Sequence, residues 1–226
     1  MKIEIKPSPR ALPDAERQAK VDEGGFGKYF TDHMVVADWN AESGWSDATL
    51  KGYEPLTLDP ASMVFHYGQE IFEGLKAYWQ PDGSISLFRP EMNGKRFANS
   101  AKRLALPELP VEDFVATIET LVKHDRGWVP PKVGSSLYIR PFMIATEVAI
   151  GVRPSKSAKY ILIACPVGAY FSTTSAVTVW ISTEYVRASI GGTGEAKCGG
   201  NYAASLLAQQ QAAAQGCDQV VWLDAK

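Results

Sequence analysis

The chain of 226 residues is 46% hydrophobic and 21% charged, with both signs interspersed and a net charge of −2. It is long enough to bury one large or two modest domains, and its near-neutral balance excludes the basic footprint of a nucleic-acid or anionic-membrane binder. No apolar run reaches the length of a bilayer span, and the opening MKIEIKPSPRALPDAER lacks the apolar stretch of a signal peptide, so a cytoplasmic protein without a membrane partner is expected.

Residues 1–25 are polar and proline-containing and read as an arm that docks late or not at all. YFTDHMVVADW (29–39) predicts a first strand, and GWSDATLKGYEPLTLDPAS (44–62) a turn-rich connection. FHYGQEIFEGLKAYW combines a helical turn with a strand. QPDGS then predicts a reverse turn, which makes Lys76–Trp79 and Ser84–Arg89 a hairpin. Pro90 suits the first turn of a helix, where its missing N–H costs nothing. In that helix Phe97, Ala101 and Leu104 share one face, and Arg96, Ser100 and Arg103 form another row.

The next helix has the clearest periodicity: Val111, Phe114, Val115, Ile118, Leu121 and Val122 repeat at i, i+3, i+4, i+7. SSLYIRPFMIATE and AKYILIACPVG are β-branched runs bounded by Gly, Pro and Ser, hence strands. AYFSTTSA is small and polar, a linker, and AVTVWIST starts another strand. Asn201 is placed to cap a helix over Tyr202–Gln215 that Gly216 terminates, and DQVVWLD is a last strand. Alternating helices and strands give an α/β (α+β) class.

Cys165, Cys198 and Cys217 are widely spaced, which fits a reducing compartment without disulfides. His33, His66 and His124 lack the paired spacing of metal ligands, so no metal is expected. GGTGEAK matches neither the P-loop nor the GxGxxG dinucleotide pattern, and no GxSxG elbow is present.

The stretch EYVRASIGGTGEAKCGGNYAASLLA (184–208) sets Lys197 between two glycine clusters, with Tyr202 opening a helix after it. Glycines permit positive φ and close approach of backbone to a bound group. Two readings of Lys197 stand side by side: a solvated loop lysine, or a desolvated nucleophile for a carbonyl. Cys198 beside it reads as a small buried filler or a reactive thiol.

The run GGTGEAKCGGNY, with EYVRA upstream, closely resembles the lysine segment of the branched-chain amino-acid aminotransferases, class IV (fold-type IV) transaminases that use pyridoxal phosphate. FGKYFTDHM, FHYGQEIFEGLKAY, LFRPEMNGKRFANSAKRL, SSLYIRP and CPVGAYF resemble the same family in the same order, from about Phe26 to the last residue. The resemblance implies a two-domain architecture: a smaller N-terminal domain over 1–167, a linker at 168–175, and from 176 to 226 the start of a larger barrel-like domain.

On that resemblance Lys197 is the Schiff-base lysine. Arg96 is the cofactor's phosphate donor, Tyr202 reaches its phenolate oxygen, and Arg187 lies near the cofactor. Without the resemblance, Arg96 reads as a solvated helix arginine, Tyr202 as a core aromatic, and Arg187 as a structural ion-pair member. The same likeness points to Phe30, Tyr67, Phe72, Tyr138 and Tyr170 as substrate-pocket walls, with Arg140 near an acidic side chain. Tyr138 and Arg140, two apart on a strand, face the same way. Ile150 and Val152 would close the pocket of a neighbouring subunit, which implies a homodimer acting on small amino acids and 2-oxo acids.

The implied reaction is amino transfer between Leu, Ile or Val and 2-oxoglutarate with ping-pong kinetics. The alternatives are another fold-type IV enzyme, a D-amino-acid transaminase or an aminodeoxychorismate lyase, or an inactive fragment. Family chains run beyond the position of Lys226 and carry there the acid that pairs with the pyridine nitrogen; a longer working protein is expected.

Overall fold

The two longest β-branched runs become the central strands of the molecule. The structure, a computed structural model, describes residues 1–168 and 176–224. The first part of the chain forms β1 (Ile3–Ile5), α1 (Asp14–Glu23), β2 (His33–Asn40), β3 (Gly44–Trp45), β4 (Ala48–Gly52) and α2 (Met63–Tyr67). There follow β5 (Glu70–Phe72), β6 (Leu75–Trp79), β7 (Ile85–Leu87), α3 (Pro90–Arg103), α4 (Val111–His124), β8 (Ser136–Ala145) and β9 (Ser157–Val167). The last described elements are β10 (Val179–Ser182), α5 (Gly199–Ala203), α6 (Leu206–Ala214) and β11 (Gln219–Trp222).

A nine-stranded sheet runs in the order β1-β4-β2-β9-β8-β6-β7, with β3 on β2 and β5 on β8. β8 and β9 are antiparallel in a register that sets Tyr138 against Cys165 and Arg140 against Ile163. Side chains alternate between the two faces of such strands. Leu137, Ile139 and Met143 of β8 and Tyr160, Leu162 and Ala164 of β9 are buried with Phe97, Ala101, Phe114, Ile118 and Leu121 of α3 and α4. Each large side chain fully buried there contributes about 1.5–3 kcal/mol over leaving it in water. The alternate residues Phe142, Ile144, Ile161 and Ile163 form a smaller cluster with Met34, Leu58 and Val64 on the other face.

Pro141 sits in β8 without breaking it. β8 pairs with β6 through Leu137–Ile139 and with β5 through Phe142–Ile144, and Pro141 falls at the gap between these two partners. Its missing N–H therefore leaves no ladder bond unmade, while its carbonyl oxygen accepts from the Glu73 N–H at 2.7 Å. At that junction the chain turns from β5 into β6 through Glu73 and Gly74.

The hairpin expected around QPDGS forms: Trp79 pairs with Ile85, and Gly83 takes φ +81°. Pro90 opens α3, and α4 buries the periodic stripe. Two expectations are corrected. The first 25 residues are not a loose arm, because β1 pairs in parallel with β4, Val21 of α1 is buried, and the Met1 amine meets Asp113 at 2.5 Å. The segment 44–62 is not only connection: it holds β3 and β4, and Leu50 is completely buried.

A second, two-stranded sheet pairs β10 with β11 in parallel, with α6 crossing between them. Tyr202–Gln215 is not one helix capped by Asn201. The helix begins at Gly199, interrupts at Ala204–Ser205, and resumes as α6. Gly216 ends it with φ +72°, as expected. The expected linker 168–175 lies outside the described residues except for Gly168. The mixed α/β class holds.

Candidate active site

Lys197 is carried by an irregular segment that would wander without partners, because 16 residues separate β10 from α5. Four sets of hydrogen bonds fix it. The Lys197 N–H donates to the buried Ser100 Oγ on α3 at 3.0 Å, and its carbonyl accepts from the Phe72 N–H at 2.9 Å. The Gly199 N–H, next along, donates to Glu70 Oε1. Asn201 turns back: its Nδ2 donates to the carbonyls of Thr193 and Ala196, both at 2.8 Å, and its Oδ1 accepts from Thr193 Oγ1 at 2.7 Å. Arg103 clamps the far end through the carbonyls of Gly191 and Gly192.

Ala196 and Cys198 on either side of Lys197 are buried in the main hydrophobic core. Cys198 is thus a core filler. With its neighbours locked inward, Lys197 is held partly buried at the rim of the sheet. Of the flanking glycines only Gly191 takes positive φ, at +73°. Gly199 is demanded by space: a Cβ there would overlap Glu70 Oε1.

The lysine amine lies 4.3 Å from the centre of the Phe72 ring and donates to the Tyr202 hydroxyl at 2.6 Å. The Phe72 and Tyr202 rings are 4.9 Å apart. On the neighbouring strand the Arg140 guanidinium lies 4.6 Å from the Phe72 ring centre and donates to the Tyr138 hydroxyl at 2.9 Å. Arg140 Nε is buried without a partner among the described residues, an unmet donor that costs free energy unless another group satisfies it. Burial holds the Glu70 carboxyl above its usual range, an effect the Gly199 N–H and Arg140 partly offset. Lys197, Tyr202, Phe72, Tyr138 and Arg140 are therefore brought together.

The other expected residues are spread more widely. Arg96 leaves α3 toward Glu73, donating through Nε at 2.5 Å and Nη2 at 2.9 Å. Glu73 first, through those hydrogen bonds and then its charge, and Tyr202 to a smaller degree, strengthen the hold of Arg96 on its proton. The Arg187 Nη2 donates to the Gly194 carbonyl at 3.1 Å, bracing its own loop. The Tyr67 hydroxyl donates to the Ile150 carbonyl, while the Ile150 and Val152 side chains are 71% and 86% exposed.

Phe30 stacks flat on Tyr53, with ring centres 5.1 Å apart, in a cleft shared with Ser8, Arg10 and Leu12 and away from the lysine cluster. Tyr170 lies outside the described residues. Sequence reasoning missed Phe26, whose ring meets Tyr138 edge-on at 4.9 Å, and the supports Ser100, Glu70 and Glu73. A serine in a helix row or a glutamate beside a strand carries no mark of such a role.

This fold and this lysine-centred cluster define the class: the chain belongs to the amino-transferase class IV family, whose sequence pattern matches residues 70–226. It is 58% identical to a probable branched-chain-amino-acid aminotransferase of Streptomyces coelicolor, over 99% of this chain and 62% of that one. A Mycolicibacterium smegmatis branched-chain-amino-acid aminotransferase is 60% identical over 94% of this chain and 58% of that one. Among solved structures, a T.th. branched-chain amino acid aminotransferase with pyridoxamine 5′-phosphate superposes with TM-score 0.66 at 29% identity, over 84% of this chain and 59% of that chain. The same enzyme complexed with N-(5′-phosphopyridoxyl)-L-glutamate gives TM-score 0.64 at 28% identity, over 84% and 58%. The chain spans about 60% of the length of the relatives it matches.

Proposed function

We propose that these residues belong to a branched-chain amino-acid aminotransferase, exchanging an amino group between L-leucine, L-isoleucine or L-valine and 2-oxoglutarate, with pyridoxal phosphate as cofactor. The observation that carries the reading is the lysine amine held at 2.6 Å from a tyrosine hydroxyl and over an aromatic face, beside a buried arginine donor that has no partner among the described residues.

The donor set fits the cofactor. An aldehyde, a phenolate oxygen and a phosphate dianion would meet, respectively, the Lys197 amine, the Tyr202 hydroxyl and the guanidinium of Arg96. Bound there, pyridoxal phosphate supplies the electron sink that lets a proton leave the substrate Cα. Lys197 Nζ moves that proton, and the Tyr202 hydroxyl orients Nζ. Phe72 and Tyr138 present apolar walls to a branched side chain. Arg140, supported by the Tyr138 hydroxyl, answers the distal carboxylate when glutamate or 2-oxoglutarate occupies the same pocket. Arg187, which braces the glycine loop, is proposed to act near the cofactor through that loop.

The exposed Ile150 and Val152 support a homodimer in which this loop covers the partner's pocket. Phe30 and Tyr170, the remaining wall residues expected from the resemblance, belong to the same proposal, Phe30 only if its stacking on Tyr53 is rearranged in the assembled enzyme. No helix among the described residues is long and apolar enough to cross a membrane.

The test is chemical. Borohydride reduction of the cofactor-loaded protein should leave a phosphopyridoxyl mass on the peptide containing Lys197. Lys197→Ala should lose both that label and transamination, by about 10³-fold or more. A variant that keeps its rate, or a label on another lysine, ends the assignment. Turnover of L-leucine rather than D-alanine separates this reading from a D-amino-acid transaminase or an aminodeoxychorismate lyase.

A further inference from the structure

Glu73 is a carboxylate that the reaction does not use and that water does not reach: it is fully buried at the β5–β6 junction. Four donors converge on it. Arg96 supplies Nε and Nη2, Asn93 Nδ2 donates at 2.8 Å, and the Gly74 N–H at 3.1 Å. Among the described residues Arg96 is its ionic partner. A carboxylate buried so deeply is tolerable only when paired and hydrogen-bonded.

The consequence falls on Arg96. A guanidinium carries five N–H donors in one plane. Glu73 takes Nε–H and one Nη2–H, which fixes that plane and turns the opposite edge, two Nη1–H and one Nη2–H, away from the carboxylate. The Arg96 side chain is 53% exposed and lines two open clefts, one with Asn99, Lys102, Arg103 and Glu195 and one with Phe88, Arg89, Met92 and Asn93. One fork is occupied, and the other is aimed outward in the geometry that accepts a phosphate by two parallel bonds. Glu73 is itself fixed: its N–H donates to the Pro141 carbonyl, where β8 passes from one partner strand to the other, and Gly74 follows it. The sheet therefore dictates where the arginine points.

We propose that Glu73 is a positioning residue for the cofactor's phosphate, acting through Arg96; this rests on the functional reading above. Without the carboxylate, a half-exposed arginine has many rotamers to lose on binding, and affinity for the phosphate falls while affinity for the ring does not.

The experiment compares binding of pyridoxal phosphate with that of pyridoxal, which lacks the phosphate, by equilibrium dialysis on the whole natural polypeptide bearing these residues. The readout is the ratio of the two affinities. Arg96→Gln sets the reference for a lost phosphate donor. Glu73→Gln should lower the ratio about tenfold, in the same direction as Arg96→Gln, with pyridoxal binding unchanged. A Glu73→Gln protein that keeps the wild-type ratio, or that weakens both ligands equally, overturns the proposal while leaving the functional reading intact. If Arg96→Gln leaves the ratio unchanged, the assignment of Arg96 fails, and this inference with it. Should Glu73→Gln not fold, Asn93→Ala decides. Removing one of the four donors should lower the ratio about threefold, and an unchanged ratio overturns the proposal.

Discussion

At the scale of single residues, the site depends on places where a side chain is missing. Gly74 follows Glu73, and a Cβ there would overlap the Tyr138 hydroxyl. That hydroxyl is wedged between Gly74 and Arg140, and its ring is held edge-on by Phe26, so it has no easy retreat. Gly74→Ala is predicted to push the phenol aside and free Arg140 from its support. If Arg140 answers the distal carboxylate of 2-oxoglutarate as proposed, steady-state kinetics should show kcat/KM for 2-oxoglutarate falling about tenfold more than for a branched 2-oxo acid. Equal losses on both substrates would show that the displaced phenol matters only to packing.

At the scale of elements, a carboxylate helps to tie down each of two ordered segments. The N-terminal segment is tied through His33 at the start of β2. Nδ1 of His33 lies 2.6 Å from Asp125 Oδ1, and the Ser8 N–H donates to Nε2 at 2.9 Å. Asp125 is almost wholly buried and also accepts the His33 N–H. His33→Leu would strand that carboxylate, and urea unfolding should register a loss of about 3 kcal/mol or more. The loop carrying Ile150 and Val152 is pinned by Glu147, which accepts both Arg153 Nη groups and the Lys156 N–H. Arg153 above all, then the Lys156 N–H, lowers the Glu147 carboxyl from its usual range to about 2. A depressed carboxylate pKa stabilises the folded loop above the unfolded value, and that contribution fades as pH falls through the folded one. Hydrogen-exchange protection of the Lys156 amide should therefore hold down to about pH 4.5 and decline toward pH 2. In Arg153→Gln the decline should begin at a higher pH; identical profiles would rule out the ion pair as the pin.

At the scale of the whole molecule, what could be read in the sequence follows from how local the cause is. The stripe of α4, the proline start of α3 and the PDG hairpin are set by neighbours within a few residues, and their sequences announce them. β1 could not be read, because three residues pair in parallel with a strand 45 positions away. Asn201 has the side chain of a cap but spends it on two carbonyls upstream. Lys197, Tyr202, Phe72, Tyr138 and Arg140 were visible as motifs, whereas Glu73, Ser100 and Phe26 emerge only when sheet and helix are brought together. The same division governs stability. The central strands β8 and β9 are covered on both faces, and Tyr160 of β9 is fully buried, its hydroxyl 3.0 Å from Thr117 on α4. Among the described residues β10 and β11 form a pair of four-residue strands backed by α6 alone, with Val179 45% and Ile181 55% exposed, and a two-stranded sheet is marginal by itself. Lys197 belongs to the first body by its bonds to Ser100 and Phe72, although it follows β10 in the chain. Hydrogen exchange followed by mass spectrometry should thus show peptides over 179–182 and 219–222 exchanging first and those over 137–144 and 159–166 last. The amide of Lys197 should be protected with the second group. If it exchanged with β10 instead, the lysine would be held by its own loop and not by the sheet and α3.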